Sequence, residues 1–147
     1  MATRNTKTSP TAAARRSRTK QLPALSADDL WAFERLGNPS LAPDGRQAVC
    51  ALTRYSMADN KSASSLWLFA TAGHNAAPRR LTACGDKDGQ PAWSPAGDRV
   101  AFLARREQQG EKDATAQLYL IAPDGGEAQR VSRFAPGIEA FKWMPDG

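Results

Sequence analysis

Apolar residues follow one spacing before Gly37 and a different spacing after it. Before Gly37, Ser26 is followed three residues later by Asp29, which is typical of a helix start because both side chains can satisfy free backbone amides. The pattern predicts a short helix over residues 27–36, with Gly37 as the residue that ends it. The large apolar side chains expected on its buried side are Leu30 and Phe33, with Leu25 or Leu36.

After Gly37 the chain repeats itself with a period near 50 residues. Residues 39–45, 91–97 and 141–147 each end in Pro-Asp-Gly or Pro-Ala-Gly, and their last glycines are 52 and 50 residues apart. This order favours a hairpin turn, because proline fixes its φ angle, aspartate bonds to the local backbone and glycine accepts a left-handed φ.

Two further segments recur in the same frame. Residues 66–70, LWLFA, match residues 118–122, LYLIA, which lie 52 positions later. Residues 80–82, RLT, match residues 130–132, RVS, which lie 50 positions later. Three independent segments with one period indicate a tandem repeat.

Each repeat is predicted to form four strands, the first of which ends just before the hairpin turn, at Leu41, Trp93 or Trp143. The third strand is the LWLFA or LYLIA segment, and a glycine-containing turn at residues 71–78 or 124–126 leads to the fourth. The second strands and the polar loops that follow them are residues 47–54 and 99–106, and residues 55–64 and 107–115. The second strands are apolar on both faces, as in sheets that are covered from both sides.

Four-stranded sheets stacked with a period near 50 are typical of a β-propeller, so the predicted fold is mainly β. We expect an incomplete β-propeller with two four-stranded antiparallel blades and the start of a third, preceded by a disordered tail and one short α-helix. The alternative is an ordinary antiparallel sandwich, which does not require a fixed repeat length. The predicted segments are a basic tail (1–24), a helix (25–37) and a partial propeller (38–147), with blade units at about 38–90, 91–140 and 141–147.

Two propeller families fit the repeat poorly. A WD40 blade would use the glycine-histidine pair at Gly73, but the chain has no Trp-Asp dipeptide. A kelch blade would use a double glycine, which occurs in only one unit, at Gly125.

The order Trp-Ser-Pro-Ala-Gly, apolar strand, Leu-Tyr-Leu-Ile, Gly-Gly and Arg-Val-Ser resembles the TolB-like repeat. That repeat occurs in TolB and in the propeller of prolyl oligopeptidase (S9) family serine peptidases. The opening segment, residues 25–45, resembles the start of S9 peptidases of the acylaminoacyl-peptidase type, and the approach to Trp143 resembles a later blade. The resemblance covers residues 25–147, with Ala42 and Met144 in place of the usual serine and Ala96 in place of aspartate.

The resemblance implies an N-terminal propeller that caps a C-terminal α/β-hydrolase domain carrying a Ser, Asp and His triad. The propeller would admit peptides to that domain and exclude folded proteins. This chain contains no Gly-x-Ser-x-Gly elbow, so we expect it to carry no catalytic residue of its own. The expected partners are the hydrolase domain and, through it, peptide substrates; the rival interpretation is a non-enzymatic TolB-like scaffold that binds proteins.

Two polar segments are candidate sites, and both are interpreted as solvated turns. His74 is the only histidine, and a catalytic base needs a nucleophile and an orienting carboxylate beside it. Residues 86–89, DKDG, resemble a calcium loop but lack its third acid and its distal glutamate, so an exposed loop is expected. We therefore predict no metal or cofactor site.

The cysteines and tryptophans are interpreted as structural. Cys50 occupies the repeat position of Phe102, which predicts a small core residue and not a reactive thiol. Trp93 and Trp143 recur just before a hairpin and are expected to pack, not to form a ligand cage. Two cysteines, Cys50 and Cys84, make no disulfide framework and favour a reducing compartment, so a cytoplasmic location is expected.

The net charge of +5 belongs to the N-terminal tail. Residues 1–20 contain six bases and no acid, whereas the rest of the chain has 14 bases and 15 acids. No large apolar residue lies between Met1 and Leu22, so the tail is expected to be disordered. Any nucleic-acid binding by this tail is expected to be weak, non-specific and salt-dependent. The six bases of the tail are Arg4, Lys7, Arg15, Arg16, Arg18 and Lys20.

The tail is a poor targeting signal, and the chain has no membrane span. Arg15 and Arg16 are not followed by the apolar region of a twin-arginine signal, although a mitochondrial transit peptide stays a minor alternative. The longest apolar runs are five residues, far short of the roughly 20 needed to cross a bilayer. An incomplete propeller exposes sheet faces and strand edges, so we expect poor solubility or self-association, as in a homo-oligomer, when this piece is isolated.

Overall fold

A computed structural model describes residues 24–147 of the chain, except residues 74, 75, 86 and 109. The predictions for residues 1–20 and for His74 therefore lie outside the described residues. The elements are α1 (Ala27–Ala32), β1 (Arg35–Leu36), β2 (Ser40–Leu41), β3 (Gln47–Ser56), β4 (Lys61–Ala70), β5 (Arg79–Arg80), β6 (Gly89–Trp93), β7 (Val100–Ala104), β8 (Glu107–Gln108), β9 (Glu111–Lys112), β10 (Gln117–Ala122) and β11 (Gly125–Arg130).

The strands form two antiparallel blades: blade 2 has the four strands that the repeat predicted, and blade 1 has five because residues 35–36 add β1. In blade 1 the order is β1-β3-β4-β5, and β2 pairs with the same edge of β3 as β1. Blade 2 has the order β6-β7-β10-β11, and β8 and β9 form a separate small hairpin. The prediction of a mainly β chain with one short helix and propeller blades is confirmed.

The three repeated turns have the same geometry. The amide of Gly45 donates to the carbonyl of Ala42 at 2.9 Å, and the Gly97–Ser94 and Gly147–Met144 bonds are 3.0 and 3.1 Å long. The three glycines have φ angles of 68°, 74° and 101°, in the left-handed region that side chains disfavour. The repeated glycine is therefore explained by backbone conformation.

A repeated hydroxyl joins the third and fourth strands of each blade. The amide of Leu66 donates to Oγ1 of Thr82 at 2.9 Å, and the amide of Leu118 donates to Oγ of Ser132 at 2.8 Å. In both blades the fourth strand ends two residues before this hydroxyl, so a side chain supplies the acceptor that a continued strand would supply. This explains why Thr or Ser recurs at the end of the RLT and RVS segments.

One hydrophobic cluster lies between the two blades. Every residue of β7 is buried, which agrees with its apolar character on both faces. The register pairs Cys50 with Trp67 and Phe102 with Tyr119, so the two blades align as the repeat predicted. The largest fully buried members of the cluster are Val49 and Leu66 from blade 1 and Val100, Phe102, Tyr119 and Ile121 from blade 2.

The N-terminal helix is shorter than predicted and buries none of its residues. The capping box of Ser26 and Asp29 is present, but α1 ends at Ala32 because the following residues form β1 on the edge of β3. Gly37 does not end the helix: its amide donates to the carbonyl of Ala51 at 2.8 Å within the sheet. The predicted buried side is wrong, since Leu25, Leu30, Phe33 and Leu36 are all exposed.

Two predicted loops contain strand structure, and one predicted strand does not form. Residues 55–64 mostly continue the β3–β4 hairpin, which turns at residues 57–60, and residues 107–115 contain the β8–β9 hairpin. Pairing between adjacent antiparallel strands extends these segments despite their polar sequence. Residues 141–143 precede the third turn but are not in a strand.

Candidate functional site

A repeated triplet that the sequence analysis missed interrupts the first strand pairing of each blade, and in blade 1 it separates β1 from β2. Gly37-Asn-Pro39 in blade 1 recurs 52 positions later as Gly89-Gln-Pro91. In blade 2 the β6–β7 register shifts between Gly89 and Ala92, and Gln90 has a φ of 49°. Proline cannot donate to a ladder, so it fits an edge strand. The repeated Gly-x-Pro triplet was the available sequence signal.

The same pair of repeat positions joins each unit to the next. The backbone amide of Trp93 donates to Oγ of Ser40 at 3.1 Å. One unit later, the indole Nε1 of Trp143 donates to the carbonyl of Ala92 at 3.1 Å. The amide group of Gln90 also donates to the carbonyl of Glu139 at 3.0 Å. The tryptophans are therefore seam residues between units, as expected for packing aromatics.

Trp93 differs from Trp143 because its own indole nitrogen has no partner. Trp93 is buried, and its Nε1 makes no hydrogen bond to any described residue. It borders a groove of about 510 Å³ between the hairpin turns of the two blades, together with Ala42, Pro43, Arg79 and Pro123.

Arg79 bridges the blades across this groove. Its guanidinium donates to the carbonyls of Pro123 and Asp124 in the β10–β11 turn, the second at 3.3 Å. Because Arg79 belongs to the outermost strand of blade 1, this contact holds the blades together away from the Trp93 seam. Hydrogen bonds therefore join the two blades both at Trp93 and at Arg79.

A buried ion pair lies at the end of blade 2 where β6 begins and β7 ends, away from the hairpin turn between these strands. The guanidinium of Arg106 donates to both carboxylate oxygens of Asp88, at 3.1 and 2.6 Å, and it lies 5.0 Å from the ring of Phe102. Burial raises the pKa of Asp88 even though Arg106 and Thr82 favour its charged form. The prediction of an exposed loop is wrong for Asp88, which is only 1% exposed.

The sequence contained a partial signal for this pair. Arg54 and Arg106 lie 52 residues apart, at the end of the second strand of each unit. In blade 1, Nε of Arg54 bonds to Oε1 of Glu34 at 2.5 Å, but both side chains are exposed. The arginine recurs, whereas the position of its acid shifts, so the repeat alone does not identify Asp88 as its partner.

A second carboxylate, Asp113, is held beside this pair by two side chains. Tyr119 donates its hydroxyl to Asp113, and the guanidinium of Arg130 donates to the same carboxylate. Burial raises the pKa of Asp113, but these hydrogen bonds outweigh it and leave the pKa below its usual value. Burial and the Asp113 contact raise the pKa of Tyr119. Both carboxylates are thus engaged by arginines, which suits structural roles and not general-base catalysis.

The two cysteines, Cys50 and Cys84, are both free thiols. Cys50 is buried in blade 1, and burial raises the pKa of its thiol, in keeping with a core residue. Cys84 is exposed and borders a cleft of about 780 Å³ that also includes Arg105, Lys112 and Glu127. Within the described ranges, no three His, Cys, Asp or Glu side chains are grouped as a metal site would require, and no helix is long and apolar enough to span a membrane.

No family model matches the chain. Two curated relatives do match it. It is 32% identical over 123 residues to the uncharacterized peptidase YuxL of Bacillus subtilis, covering 84% of this chain and 18% of the relative. It is 31% identical over 130 residues to dipeptidyl-peptidase 5 of Porphyromonas endodontalis, covering 88% of this chain and 18% of the relative.

The fold is similar to a solved propeller. The β-propeller domain of the Trilobed protease from Pyrococcus furiosus superposes with a TM-score of 0.57 at 19% sequence identity, covering 78% of this chain and 32% of that one. The resemblance to the propeller region of an S9 peptidase is confirmed by these relatives and this fold. The chain spans about 18% of the length of the curated relatives it matches.

Proposed function

We propose that this chain forms the first two blades of the propeller of an S9-type serine peptidase, and that the propeller selects the substrates that reach an α/β-hydrolase domain of the same protein. The proposal rests on sequence similarity to two peptidases over more than four-fifths of the chain. The buried carboxylates of Asp88 and Asp113 are hydrogen-bonded to Arg106 and Arg130, and such pairs suit structural roles within a propeller.

The repeated seam is the observation that carries the gating role. Ser40 with Trp93, and Ala92 with Trp143, join successive units at the same repeat positions through different donor and acceptor groups, so each further unit can be joined at those positions. Strands β2 and β6 each pair with one neighbour among the described strands, which leaves their other edges free. In a ring of such blades, the free edges surround a central channel. A channel of fixed width would pass an extended peptide and exclude a folded domain.

The test is carried out on the full-length parent protein. We expect a fluorophosphonate probe to label one serine, and we expect cleavage of short peptides but not of a folded protein that contains the same peptide sequence. Absence of labelling would overturn the peptidase assignment and favour a protein-binding scaffold. Labelling with equal cleavage of the peptide and the folded protein would overturn the gating role alone.

A cytoplasmic location is part of the proposal. Cys50 and Cys84 form no disulfide, and Cys84 exposes its thiol to solvent. A free exposed thiol suits a reducing compartment. Fractionation of the source cells, with thiol labelling of Cys84 before lysis by a membrane-permeant and a membrane-impermeant reagent, tests it: labelling by the impermeant reagent in intact cells would contradict it.

A further inference from the structure

The two contacts between successive units use different N–H groups of the same repeated tryptophan. In the first seam, Trp93 donates its backbone amide to Oγ of Ser40, and its buried indole Nε1 has no partner among the described residues. In the second seam, Trp143 donates its indole Nε1 to the carbonyl of Ala92, and its backbone amide makes no hydrogen bond to a described residue. Each seam therefore leaves free the group that the other seam uses.

The two seams occupy equivalent positions of one repeat. Ser40 and Ala92 lie 52 residues apart, and each pairs with the equivalent residue of the next strand. Trp93 and Trp143 lie 50 residues apart, each just before a repeated turn. The acceptor for the Trp93 indole that corresponds to the carbonyl of Ala92 is therefore the carbonyl of Ser40. Both arrangements occur in one molecule on one strand pattern, so both are available to this kind of seam.

The residue at the acceptor position explains which arrangement each seam adopts. Ser40 has a hydroxyl that extends beyond the backbone, and this hydroxyl accepts the Trp93 amide at 3.1 Å. Alanine at position 92 has no hydroxyl, so only its carbonyl can accept. A buried N–H without a partner costs free energy, and Trp93 is 8% exposed. The serine thus keeps the first seam in an arrangement that leaves the indole of Trp93 unsatisfied.

The first seam also has space for the second arrangement. A groove of about 510 Å³ lies between the hairpin turns of the two blades, and Trp93 borders it together with Ala42, Pro43 and Gly97. Packed protein interiors resist movement because they contain few voids. An open groove of this size lets the two turns approach each other without displacing packed side chains.

We infer that the first seam is a two-state contact and that Ser40 is the positioning residue that holds it open. In the second state, the amide of Trp93 leaves the Ser40 hydroxyl, and the indole Nε1 of Trp93 donates to the Ser40 carbonyl, as Trp143 does to Ala92. The two turns then close across the groove. The two-state seam needs only these two blades, whereas its effect on peptide selection rests on the proposed function.

Reciprocal substitutions in the full-length protein test this inference. Ser40→Ala gives the first seam the side chain of the second, and Ala92→Ser gives the second seam the side chain of the first. Either variant tests the inference without the other, and urea unfolding identifies the variants that fold. NMR measures hydrogen exchange of the indole N–H groups of Trp93 and Trp143, which are assigned with Trp93→Phe and Trp143→Phe.

Two control variants separate the proposed role from a general effect of losing a hydroxyl. Ser40→Thr keeps the hydroxyl at the same position. Ser65→Ala is the matched control, because Oγ of Ser65 accepts the indole N–H of another tryptophan of blade 1, Trp67, at 3.1 Å. Both controls should leave the exchange rate of the Trp93 indole at its wild-type value.

We expect Ser40→Ala to slow exchange of the Trp93 indole roughly fivefold, which corresponds to about 1 kcal/mol, the usual contribution of one neutral hydrogen bond. Ala92→Ser should speed exchange of the Trp143 indole by a similar factor. An unchanged rate in either folded variant would overturn the inference. A Trp93 rate that slows equally in Ser40→Ala and Ser40→Thr would also overturn it, since the hydroxyl would then have no part in the effect.

Peptide selection separates this inference from the proposed function. A closed seam narrows the channel, so Ser40→Ala should lower the ratio of kcat/KM for a long peptide to kcat/KM for a short one. A slower Trp93 exchange with an unchanged ratio would leave the two-state seam standing and overturn its effect on selection. A wild type that a fluorophosphonate does not label would overturn the proposed function, whereas the exchange rates would still decide the two-state seam.

Discussion

Replacing Arg106 with methionine isolates the energetic role of the buried pair in blade 2. Methionine keeps an unbranched apolar stem near Phe102 but removes both hydrogen bonds to Asp88. The carboxylate of Asp88 is fully buried and the side chain of Arg106 is only 10% exposed. Removing one partner of such a pair leaves an uncompensated buried charge, which costs about 3–5 kcal/mol. We therefore expect Arg106→Met to lower the free energy of unfolding by that amount at pH 7.

The repeat provides the control variant. Arg54 occupies the equivalent position in blade 1, but the side chains of Arg54 and Glu34 are 59% and 45% exposed. Exposed ion pairs contribute about 0–1 kcal/mol, so Arg54→Met is expected to have a small effect. Urea unfolding of the propeller, followed by tryptophan fluorescence, measures both variants. Equal losses for Arg54→Met and Arg106→Met would refute the reasoning.

The pH dependence of the loss tests its cause. Burial already raises the pKa of Asp88 above its usual 3.8, and removal of Arg106 takes away a contact that lowers it. When folding raises the pKa of a carboxyl, the protein loses stability as the pH rises through the folded pKa. At a pH where the carboxyl is protonated in both the folded and the unfolded state, it does not lower the free energy of unfolding. The deficit of Arg106→Met should therefore shrink as the pH approaches 4. Adding Asp88→Asn should restore much of the stability at pH 7. A deficit that is independent of pH would refute a buried-charge origin.

Three further changes test other parts of the structure. Asp113→Asn should lower the urea midpoint more at pH 7 than at pH 3, because the lowered pKa of Asp113 contributes stability that is lost as the pH falls through it; an equal effect at both pH values would contradict this. Gly45→Ala should cost about 1–2 kcal/mol for its left-handed φ, whereas Gly89→Ala, which has open space for a Cβ and no positive φ, should cost less in thermal unfolding. Thr82→Val should cost about 1–3 kcal/mol by leaving the buried Leu66 amide without an acceptor, and Thr82→Ser should retain most of the stability, as Ser132 makes the same bond; equal losses would show that the methyl group matters more.

The features that follow from local sequence were predictable. The three repeated turns need glycine at Gly45, Gly97 and Gly147 because all three residues have a left-handed φ angle. This requirement appears in the sequence as glycines 52 and 50 residues apart. The buried strand β7 was visible as an unbroken apolar run. The blades and the repeat frame therefore follow from residues that act on their immediate neighbours.

The features that depend on distant partners were missed or wrong. The end of α1 is set by pairing of Leu36 with Leu52 in β3, which competes successfully with the helical pattern of residues 33–36. Asp88 lies in a polar segment of the sequence, which predicts an exposed loop. In the structure it is buried and paired with Arg106, a residue 18 positions away. The contact between Trp31 and Tyr55 is also a tertiary feature, because it joins the N-terminal helix to the far end of β3.

The proposed gating role of the propeller is tested most directly by loosening the contact between blades. In the full-length protein, Arg79→Ala removes the bridge to Pro123 and Asp124, and Arg46→Ala, an exposed arginine with no side-chain hydrogen bond to the described residues, is the control. The quantity measured is the ratio of kcat/KM for a long peptide to kcat/KM for a short one. We predict that Arg79→Ala raises this ratio severalfold while Arg46→Ala leaves it unchanged. A ratio that is the same in Arg79→Ala, Arg46→Ala and the wild type would contradict a gate formed by packed blades.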